Sequence, residues 1–493
     1  MTPPAPALRT GTAAGRGTLL AATLASGMVF LDSTVVNVAL PRLGADLDAT
    51  VADLQWTVNG YLLMLAAFVL LGGALGDRFG RRRIFLLGVV WFAVASVLCG
   101  LSQGIGWLIA ARFLQGAGGA LLTPGSLAVL QASFHPDDRG KAIGTWSGLS
   151  GVATTLGPLL GGWLIDAFSW RWIFFVNLPL AVGVVFAALR WVPESRDEAA
   201  SRTGAGRRFD VAGALLGALG LGGVTYALID APTRGARSPA VLAAAVAGVV
   251  AVVAFVLVER RRGDTAMLPT GLFGSRLFSV LNVFTVVVYA ALGGFTFFLA
   301  VYLQNVVGWS ALLTGLATVP MTVLLLLGSS RAGAMAARIG PRLPLSVGPV
   351  VAAAGLLLLR RVGPGASYWT DVLPGVVLFG AGLTLVVAPL TASVLAAVAD
   401  RFAGVASGFN NAASRAGGLL AVAALPLLVG LSGTGYEQKG ALADAYRGAL
   451  AWCAGLLVAG AVLAAVLIHR PERTAPGGQP CPSLPASTPP DRR

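Results

Sequence analysis

Long apolar runs recur along the whole chain, and short stretches of charged or turn-forming residues separate them. The runs are about 20 residues long, the length at which an α-helix crosses roughly 30 Å of hydrocarbon. Because a backbone in lipid must satisfy its own hydrogen bonds, these runs are predicted to be helices. The pattern predicts fourteen membrane-spanning helices, at residues 17–40, 54–75, 84–102, 106–130, 141–165, 171–191, 210–230, 239–258, 277–303, 311–330, 343–361, 371–396, 405–431 and 445–468.

The polar segments divide these helices into three groups. Two charged connections, residues 192–209 and 259–276, flank the seventh and eighth helices and are predicted to be cytoplasmic linkers. Residues 1–16 and 469–493 are rich in proline and polar residues and are predicted to be disordered cytoplasmic tails. The predicted units between them are a six-helix bundle, two additional helices and a second six-helix bundle: 17–191, 210–258 and 277–468.

Basic residues are distributed unevenly over the predicted loops. With both termini in the cytoplasm, 25 of the 35 lysine and arginine residues fall in the tails and cytoplasmic loops and 8 in the outer loops. Since cytoplasmic loops are enriched in basic residues, we predict a multi-pass protein of the plasma membrane with both ends in the cytoplasm. The net charge of +14 belongs to these loops, so no nucleic-acid partner is predicted.

Composition agrees with a membrane protein and argues against several kinds of site. Only 11% of the residues are charged, whereas soluble proteins carry about a quarter. Cys99, Cys453 and Cys481 are far apart and have neither disulfide nor metal spacing. His135 and His469 lie at predicted membrane edges, which argues against a histidine proton relay. We therefore predict no metal and no cofactor.

Two charged residues fall inside predicted helices near the start of the chain. Asp32 lies in the first helix and Arg112 in the fourth. An acid at mid-membrane costs about 2.5–3.5 kcal/mol on insertion scales and usually marks an ion or substrate path. We predict that Asp32 binds protons from a central cleft and that Arg112 is its partner. The alternatives are a carboxylate permanently paired for structure and an arginine that reaches the membrane interface or bonds backbone carbonyls.

The fifth predicted helix contains a cluster of small residues around a proline. Proline removes one helical hydrogen bond, and small residues permit close helix approach. The cluster is predicted to be a hinge between the two six-helix bundles, with ordinary tight packing as the alternative; its members are Gly157, Pro158, Gly161 and Gly162.

The loop after the second helix combines glycines with one acid and several arginines. Breakable salt bridges there are predicted to act as a conformational lock, with an orientation signal as the alternative. The lock residues are Gly73, Asp77, Arg78, Gly80, Arg81 and Arg82.

Polar and aromatic side chains in the helices are candidates for a substrate cavity. Aromatic rings suit lipophilic or cationic ligands, although such residues more often pack in the core or face lipid. The candidates are Asn37, Gln55, Trp56, Tyr61, Gln115, Tyr289, Phe298 and Asn411.

Several of these segments together resemble one family. The motifs are Asp32 to Pro41, Gly73 to Arg83, Arg112 to Ala120 and Gly157 to Gly162. They are similar to the signatures of the fourteen-helix drug:proton antiporters of the major facilitator superfamily. The resemblance implies an all-α integral membrane fold of two six-helix bundles plus two extra central helices. It also implies proton transfer at Arg112. We further predict a cycle driven by the proton-motive force and a monomer.

The second half departs from the family pattern. Ala337 stands where the first-half lock loop has Asp77. In the thirteenth helix, Ser414 occupies the position three residues after Asn411 where the family commonly has an arginine, and Arg415 follows. One residue turns a side chain by about 100° on a helix, so the resemblance assigns no role to Arg415.

The sequence therefore predicts a transporter and not an enzyme. Its partners would be protons, the lipid bilayer and a lipophilic or cationic drug or antibiotic that is exported by alternating access. One alternative is an exporter of an endogenous metabolite, such as an amino acid, a sugar or a lipid precursor. Another is a membrane-embedded sensor or enzyme, but the helices contain no clustered catalytic residues and no sizeable soluble domain is predicted.

Overall fold

The fold is known from a computed structural model, which describes residues 8–195, 210–263, 268, 270–399 and 402–468. The predictions for residues 1–7, 196–209 and 469–493 fall outside the described residues. The described chain contains fourteen helices that are long and apolar enough to cross a membrane, which confirms the predicted number and the all-α fold class. In chain order they are α1 Ala13–Asp46, α2 Val51–Phe79, α3 Arg81–Gly100, α4 Ile105–Ser133, α5 Pro136–Ala167, α6 Trp172–Trp191, α7 Val211–Arg234, α8 Pro239–Arg262, α9 Arg276–Val307, α10 Ala311–Ile339, α11 Arg342–Leu359, α12 Tyr368–Ala396, α13 Ala403–Leu428 and α14 Lys439–Leu467.

The first helix starts earlier than predicted. Thr12 caps α1 by accepting the backbone N–H of Gly15 at 3.0 Å. Before the cap, the backbone N–H of Leu8 donates to Ser133, and its carbonyl accepts the N–H of His135 at 3.0 Å. The predicted disordered tail is therefore wrong for residues 8–16. These residues are ordered by backbone pairing with the α4–α5 connection, which their own composition does not reveal.

Consecutive helices run in opposite directions, so their connections lie on two faces. We call the face with residues 47–50 and 429–438 the distal face, and the face with the start of α1 and Gly80 the proximal face. We call α1–α6 the first half and α9–α14 the second half. The two remaining helices, α7 and α8, pack against each other, and α7 also packs against α2 and α13.

Charges at the proximal end join α7 to α8. Asp210 caps α7 by accepting the backbone N–H of Gly213, and it forms an ion pair with Arg262 at the end of α8. Burial alone would raise the pKa of Asp210, but the hydrogen bonds from Arg262 and from the Gly213 N–H, together with the positive charge of Arg262, outweigh it, so the pKa lies below its usual value. The paired helices are thereby held as a hairpin beside the α2–α13 contact.

The two halves meet at the distal face through α5 and α10. The Asp166 carboxylate near the end of α5 accepts the backbone N–H groups of Ala311 and Leu312, at 3.3 and 2.8 Å. These N–H groups belong to the first turn of α10, where unpaired donors and the helix dipole favour an anion. Close to this contact, a Cβ added at Gly162 would lie only 2.5 Å from Leu312 Cα.

A second distal contact joins α2 to α13. Gln55 donates from Nε2 to the carbonyl oxygens of Val422 and Ala423, at 2.6 and 3.0 Å. Pro426 has no N–H, so the carbonyl of Val422 lacks its helical donor. The glutamine of one half therefore satisfies an acceptor that a proline has exposed in the other half.

The proximal half of α5 lacks such contacts. A Cβ added at Gly140, Gly144 or Gly148 would have no described atom within 4 Å. At Gly151 the first contact with α10 begins, with Leu326 at 3.4 Å. The halves are thus closed along the distal part of α5 and separated along its proximal part.

The distal contact predicts different effects for two glycines of one helix. Gly162→Val forces the backbones of α5 and α10 apart, so we expect it to destabilise this conformation by about 1–3 kcal/mol, as overpacking does. Gly148→Val is the matched control, because its side chain enters open space. Thermal unfolding of the purified protein, followed by tryptophan fluorescence, is expected to show a lower midpoint only for Gly162→Val. Equal midpoints would contradict the close contact.

Candidate functional site

The predicted pair of membrane charges is present in the first half. Arg112 Nη1 lies 2.6 Å from Asp32 Oδ2, and both side chains are buried, with 1% and 0% of their surface exposed. Arg112 also donates to the Gln115 side-chain oxygen at 2.6 Å and to the Thr57 carbonyl at 3.0 Å. The guanidinium thus joins α1, α2 and α4 at one point.

Gln115 completes the hydrogen bonding of the carboxylate. Its Nε2 donates to Asp32 Oδ1 at 2.8 Å and to Ser96 Oγ at 2.8 Å. Ser96 in turn accepts a hydrogen bond from Asn177 Nδ2 at 3.3 Å. Both oxygens of Asp32 therefore have donors, as a charge sealed in a low-dielectric interior requires.

Aromatic rings cover the arginine of this network. The guanidinium carbon of Arg112 lies 4.3 Å from the ring centre of Tyr61 and 5.9 Å from that of Phe174. Tyr61 is held in place by donating to the Val29 carbonyl at 3.4 Å. These contacts exclude water and add cation–π attraction to the ion pair.

The family model described as Major Facilitator Superfamily matches residues 22–422, a span that contains this network, the lock loop and most of both halves. The chain belongs to the major facilitator superfamily.

Curated relatives of this superfamily member include resistance and export proteins. The tetracenomycin C resistance and export protein of Streptomyces glaucescens is 37% identical over 84% of this chain and 75% of its own length. The puromycin resistance protein of Streptomyces alboniger is 38% identical over 91% of this chain and 90% of its own. The methylenomycin A resistance protein of Bacillus subtilis is 35% identical over 90% and 94%.

Solved transporter structures share the fold. An inward-facing, unoccupied bacterial homologue of the human lysosomal transporter Spinster superposes with a TM-score of 0.63 at 18% identity, covering 93% of this chain and 97% of its own. A peptide transporter in complex with sulfate superposes with a TM-score of 0.64 at 15% identity, covering 94% and 98%. These similarities establish the architecture of a major facilitator transporter.

Access to Asp32 differs from the prediction. The sequence predicts a carboxylate open to a central cleft, but in this conformation of the superfamily member Asp32 has no exposed surface. Arg112 and Gln115 bond both of its oxygens. A single sequence does not reveal how completely neighbouring helices seal such a group, so the cleft prediction is wrong for this state.

The predicted hinge residues lie between α1 and α10. A Cβ added at Gly157 would overlap the side chain of Thr34, and one at Gly161 would overlap Val35. On another side of α5, the Pro158 carbonyl packs against Gly315 of α10. The small residues therefore bring α5 against the stretch of α1 that directly follows Asp32.

The predicted lock residues form pairs within the first half. Asp77 and Arg81 form an ion pair at 2.8 Å. Arg82 donates from its backbone N–H to the Glu194 carboxylate and from its guanidinium to the Val192 carbonyl, each at 3.1 Å. These two hydrogen bonds of Arg82 fasten the loop to the segment that follows α6.

The remaining lock residues are Gly80, Arg78 and Gly73. Gly80 has φ +111°, a conformation that favours glycine. Arg78 is exposed and Gly73 is half-buried.

Four of the cavity candidates are buried in this conformation. Gln55, Tyr61, Gln115 and Phe298 expose 2% or less of their surface. Gln55 forms the α2–α13 contact, Tyr61 and Gln115 belong to the charge network, and Phe298 packs against Phe297. None of the four lines open space here.

The other cavity candidates are partly exposed. Trp56 packs against Phe113 and against Tyr226 of α7, with ring centres 5.8 and 6.3 Å apart, so it faces the additional helices. Asn37 donates to the Ser33 carbonyl of its own helix. Tyr289 of α9 and Asn411 of α13 are partly exposed inside the second half.

Three residues of the charge network are absent from the predicted site: Thr57, Ser96 and Asn177. Thr57 contributes only its carbonyl, which carries no side-chain signal. Ser96 and Asn177 are single polar residues in apolar helices, a pattern that also occurs wherever a side chain bonds its own helix. Their part in the network depends on which helices meet, and that information is tertiary.

The buried ion pair predicts that the effects of substituting Asp32 and Arg112 on stability are strongly coupled. Arg112→Met leaves the Asp32 carboxylate buried without its counter-charge, and removing one partner of such a pair costs about 3–5 kcal/mol. We expect the double variant Asp32→Leu with Arg112→Met to recover most of the lost stability, since no unpaired charge remains. Unfolding midpoints of the wild type, both single variants and the double variant measure this. A double variant as unstable as Arg112→Met would argue against the pairing.

Proposed function

We propose that the protein is a proton-coupled antiporter that exports lipophilic small molecules, antibiotics among them, across the plasma membrane by alternating access. The observation that carries this proposal is the sealed Asp32–Arg112 pair and its connection through α1 to α5. The names of the relatives support the substrate class, since they are resistance and export proteins for small-molecule antibiotics.

The charge network is suited to couple a proton to a conformation. With Asp32 ionised, the pair has no net charge and all its groups are bonded. A proton on Asp32 would leave the Arg112 cation buried without a counter-charge, which is costly in this environment. Protonation therefore destabilises the distal-closed conformation, and a conformation that favours the ionised acid releases the proton.

The connection between halves gives this charge change a mechanical effect. Thr34 and Val35 follow Asp32 on α1 and pack against Gly157 and Gly161 of α5. The next face of α5 packs against α10 of the second half. Movement of α1 about the charged pair is therefore transmitted to the contact that closes the distal face.

The sidedness follows from the basic loops. With the proximal face in the cytoplasm, the conformation described is open toward the cytoplasm and closed toward the outside. Asp32 then receives its proton from outside after the distal face opens, and loses it toward the cytoplasm as substrate enters. Each elementary charge carried across the membrane contributes about 2.3 kcal/mol per 100 mV. The proton-motive force alone drives the cycle, and one chain contains the whole path, so we expect a functional monomer without a cofactor.

The proton-coupling role predicts a loss of transport in one acid variant. Asp32→Asn keeps the side-chain size but cannot exchange a proton, so we expect proton-driven tetracenomycin C uptake into everted vesicles to fall at least tenfold at equal expression. Asp444→Asn is the matched control, because that carboxylate is exposed at the start of α14. Methylenomycin A serves as a second test compound. Undiminished uptake of both compounds by Asp32→Asn would remove this carboxylate from the mechanism.

A further inference from the structure

A second cation lies at membrane depth, in α13. Arg415 stands seven residues after Gly408 and seven before Val422, two helical turns in each direction. A Cβ at Gly408 would meet Leu70 of α2, and the Val422 carbonyl accepts from Gln55 of α2. Arg415 therefore lies on the face of α13 that borders α2, at the seam between the two halves.

Arg415 is unpaired within the described part of the chain. Its Nε is buried and has no hydrogen-bond partner there, and none of the described ion pairs includes it. Asp32 cannot neutralise it, because that carboxylate is already bonded to Arg112 and Gln115. Arginine in a membrane bundle nearly always pairs or lines a water-filled path. Arg415 is partly exposed, as an arginine that lines such a path would be.

The surroundings of Arg415 are polar and aromatic. Asn411, one turn earlier on α13, is partly exposed, as is Tyr289 on α9. A Cβ at Gly418, one turn beyond Arg415 on α13, would lie 3.7 Å from the Tyr289 carbonyl oxygen, so α9 packs against α13 next to Arg415. Across the seam on α2, Asn59 follows Gln55 by one turn, is fully buried, and has no described partner for either amide atom. We call Asn59, Tyr289, Asn411 and Arg415 the seam site.

We propose that the seam site binds the acidic group of a lipophilic substrate, with the Arg415 guanidinium as its counter-charge. A planar guanidinium bonds carboxylate, sulfonate or phenolate oxygens through two parallel N–H groups. The inference rests on the proposed function and makes its substrate class more specific: an aromatic molecule with one ionisable acidic group.

The charge balance of the central region supports an anion. The Asp32–Arg112 pair contributes no net charge, so among the residues that the structure describes Arg415 leaves the region between the halves with one uncompensated positive charge. In a low-dielectric path this charge attracts an anion and repels a cation of similar shape. The neighbouring amides of Asn59 and Asn411 supply hydrogen bonds, and Tyr289 supplies an apolar ring for the rest of the ligand.

The test uses three dansyl probes that share one ring system and differ in charge. They are dansylglycine, its neutral amide dansylglycinamide, and the cationic dansylethylenediamine. Binding is measured by probe fluorescence with the full chain in phosphatidylcholine nanodiscs, in a low-salt Tris chloride buffer that is identical for the three probes and contains no carboxylate or sulfonate anion. We expect dansylglycine to bind at least tenfold more tightly than its amide, the effect of one charge-assisted hydrogen-bond pair, and the cationic probe to bind most weakly.

Three variants separate the binding role from a structural one. Arg415→Gln is expected to reduce the preference for dansylglycine over its amide to about one, whereas Arg415→Lys keeps most of it. Arg331→Gln is the matched control, since that exposed arginine bonds a carbonyl of its own helix, and its preference is expected to equal that of the wild type. A general loss of folding would lower binding of all three probes together.

Several results would overturn the inference. They are equal binding of dansylglycine and its amide by the wild type, no binding of dansylglycine up to millimolar concentration, and an unchanged preference in Arg415→Gln. The measurement uses no proton gradient. The wild type could show an anion preference that depends on Arg415 while Asp32→Asn shows undiminished uptake. That result would support the seam site and contradict the proposed proton coupling.

Discussion

The buried ion pair of the Asp32 carboxylate and the Arg112 guanidinium constrains this structure more than any other interaction. Neither charge can remain alone in the interior, so the ion pair, with Arg112 Nη1 2.6 Å from Asp32 Oδ2, holds α1 against α4. The Gln115 side-chain oxygen and the Thr57 carbonyl accept the other hydrogen bonds of the guanidinium. Such a pair adds little net stability compared with apolar residues. Its importance is that adding one proton makes the arrangement unfavourable.

The small residues of α5 give this local constraint a global consequence. Gly157 and Gly161 bring α5 against α1 beside the charged pair, and Gly162 brings it against α10. At the distal end Asp166 and Gln55 complete the contact, each by bonding backbone groups of the other half that a helix start or a proline has left without partners. The seal therefore combines close apolar packing between the halves with a few polar contacts at the distal end.

The sequence was sufficient for some of these features. Fourteen apolar runs predict fourteen helices, because lipid leaves the backbone no alternative to a helix. Asp32 and Arg112 lie inside two of those runs and are predicted to be partners, since an unpaired charge there is costly. Glycines and a proline at helical spacing predict a close contact at α5, although not the identity of the helices that approach it.

Other features depend on tertiary contacts that no local pattern contains. The sealing of Asp32 depends on Gln115 and Ser96, which are ordinary polar residues in sequence. The order of residues 8–16 comes from pairing with a connection more than a hundred residues later. The importance of Arg415 comes from its position at the seam and from the lack of a described partner. In the sequence alone, Arg415 is only the residue after Ser414, the position at which the family commonly has an arginine.

The central claim is that the protonation of Asp32 changes which face is open. The most direct measurement is the distance between spin labels on two distal-face positions, Gln103→Cys in the first half and Trp369→Cys in the second, by pulsed electron paramagnetic resonance across pH. Lowering the pH is expected to increase the population with a long distal distance, and Asp32→Asn is expected to hold that population high at every pH. An identical pH response with and without the Asp32 carboxylate, or no response in the wild type, would contradict the account.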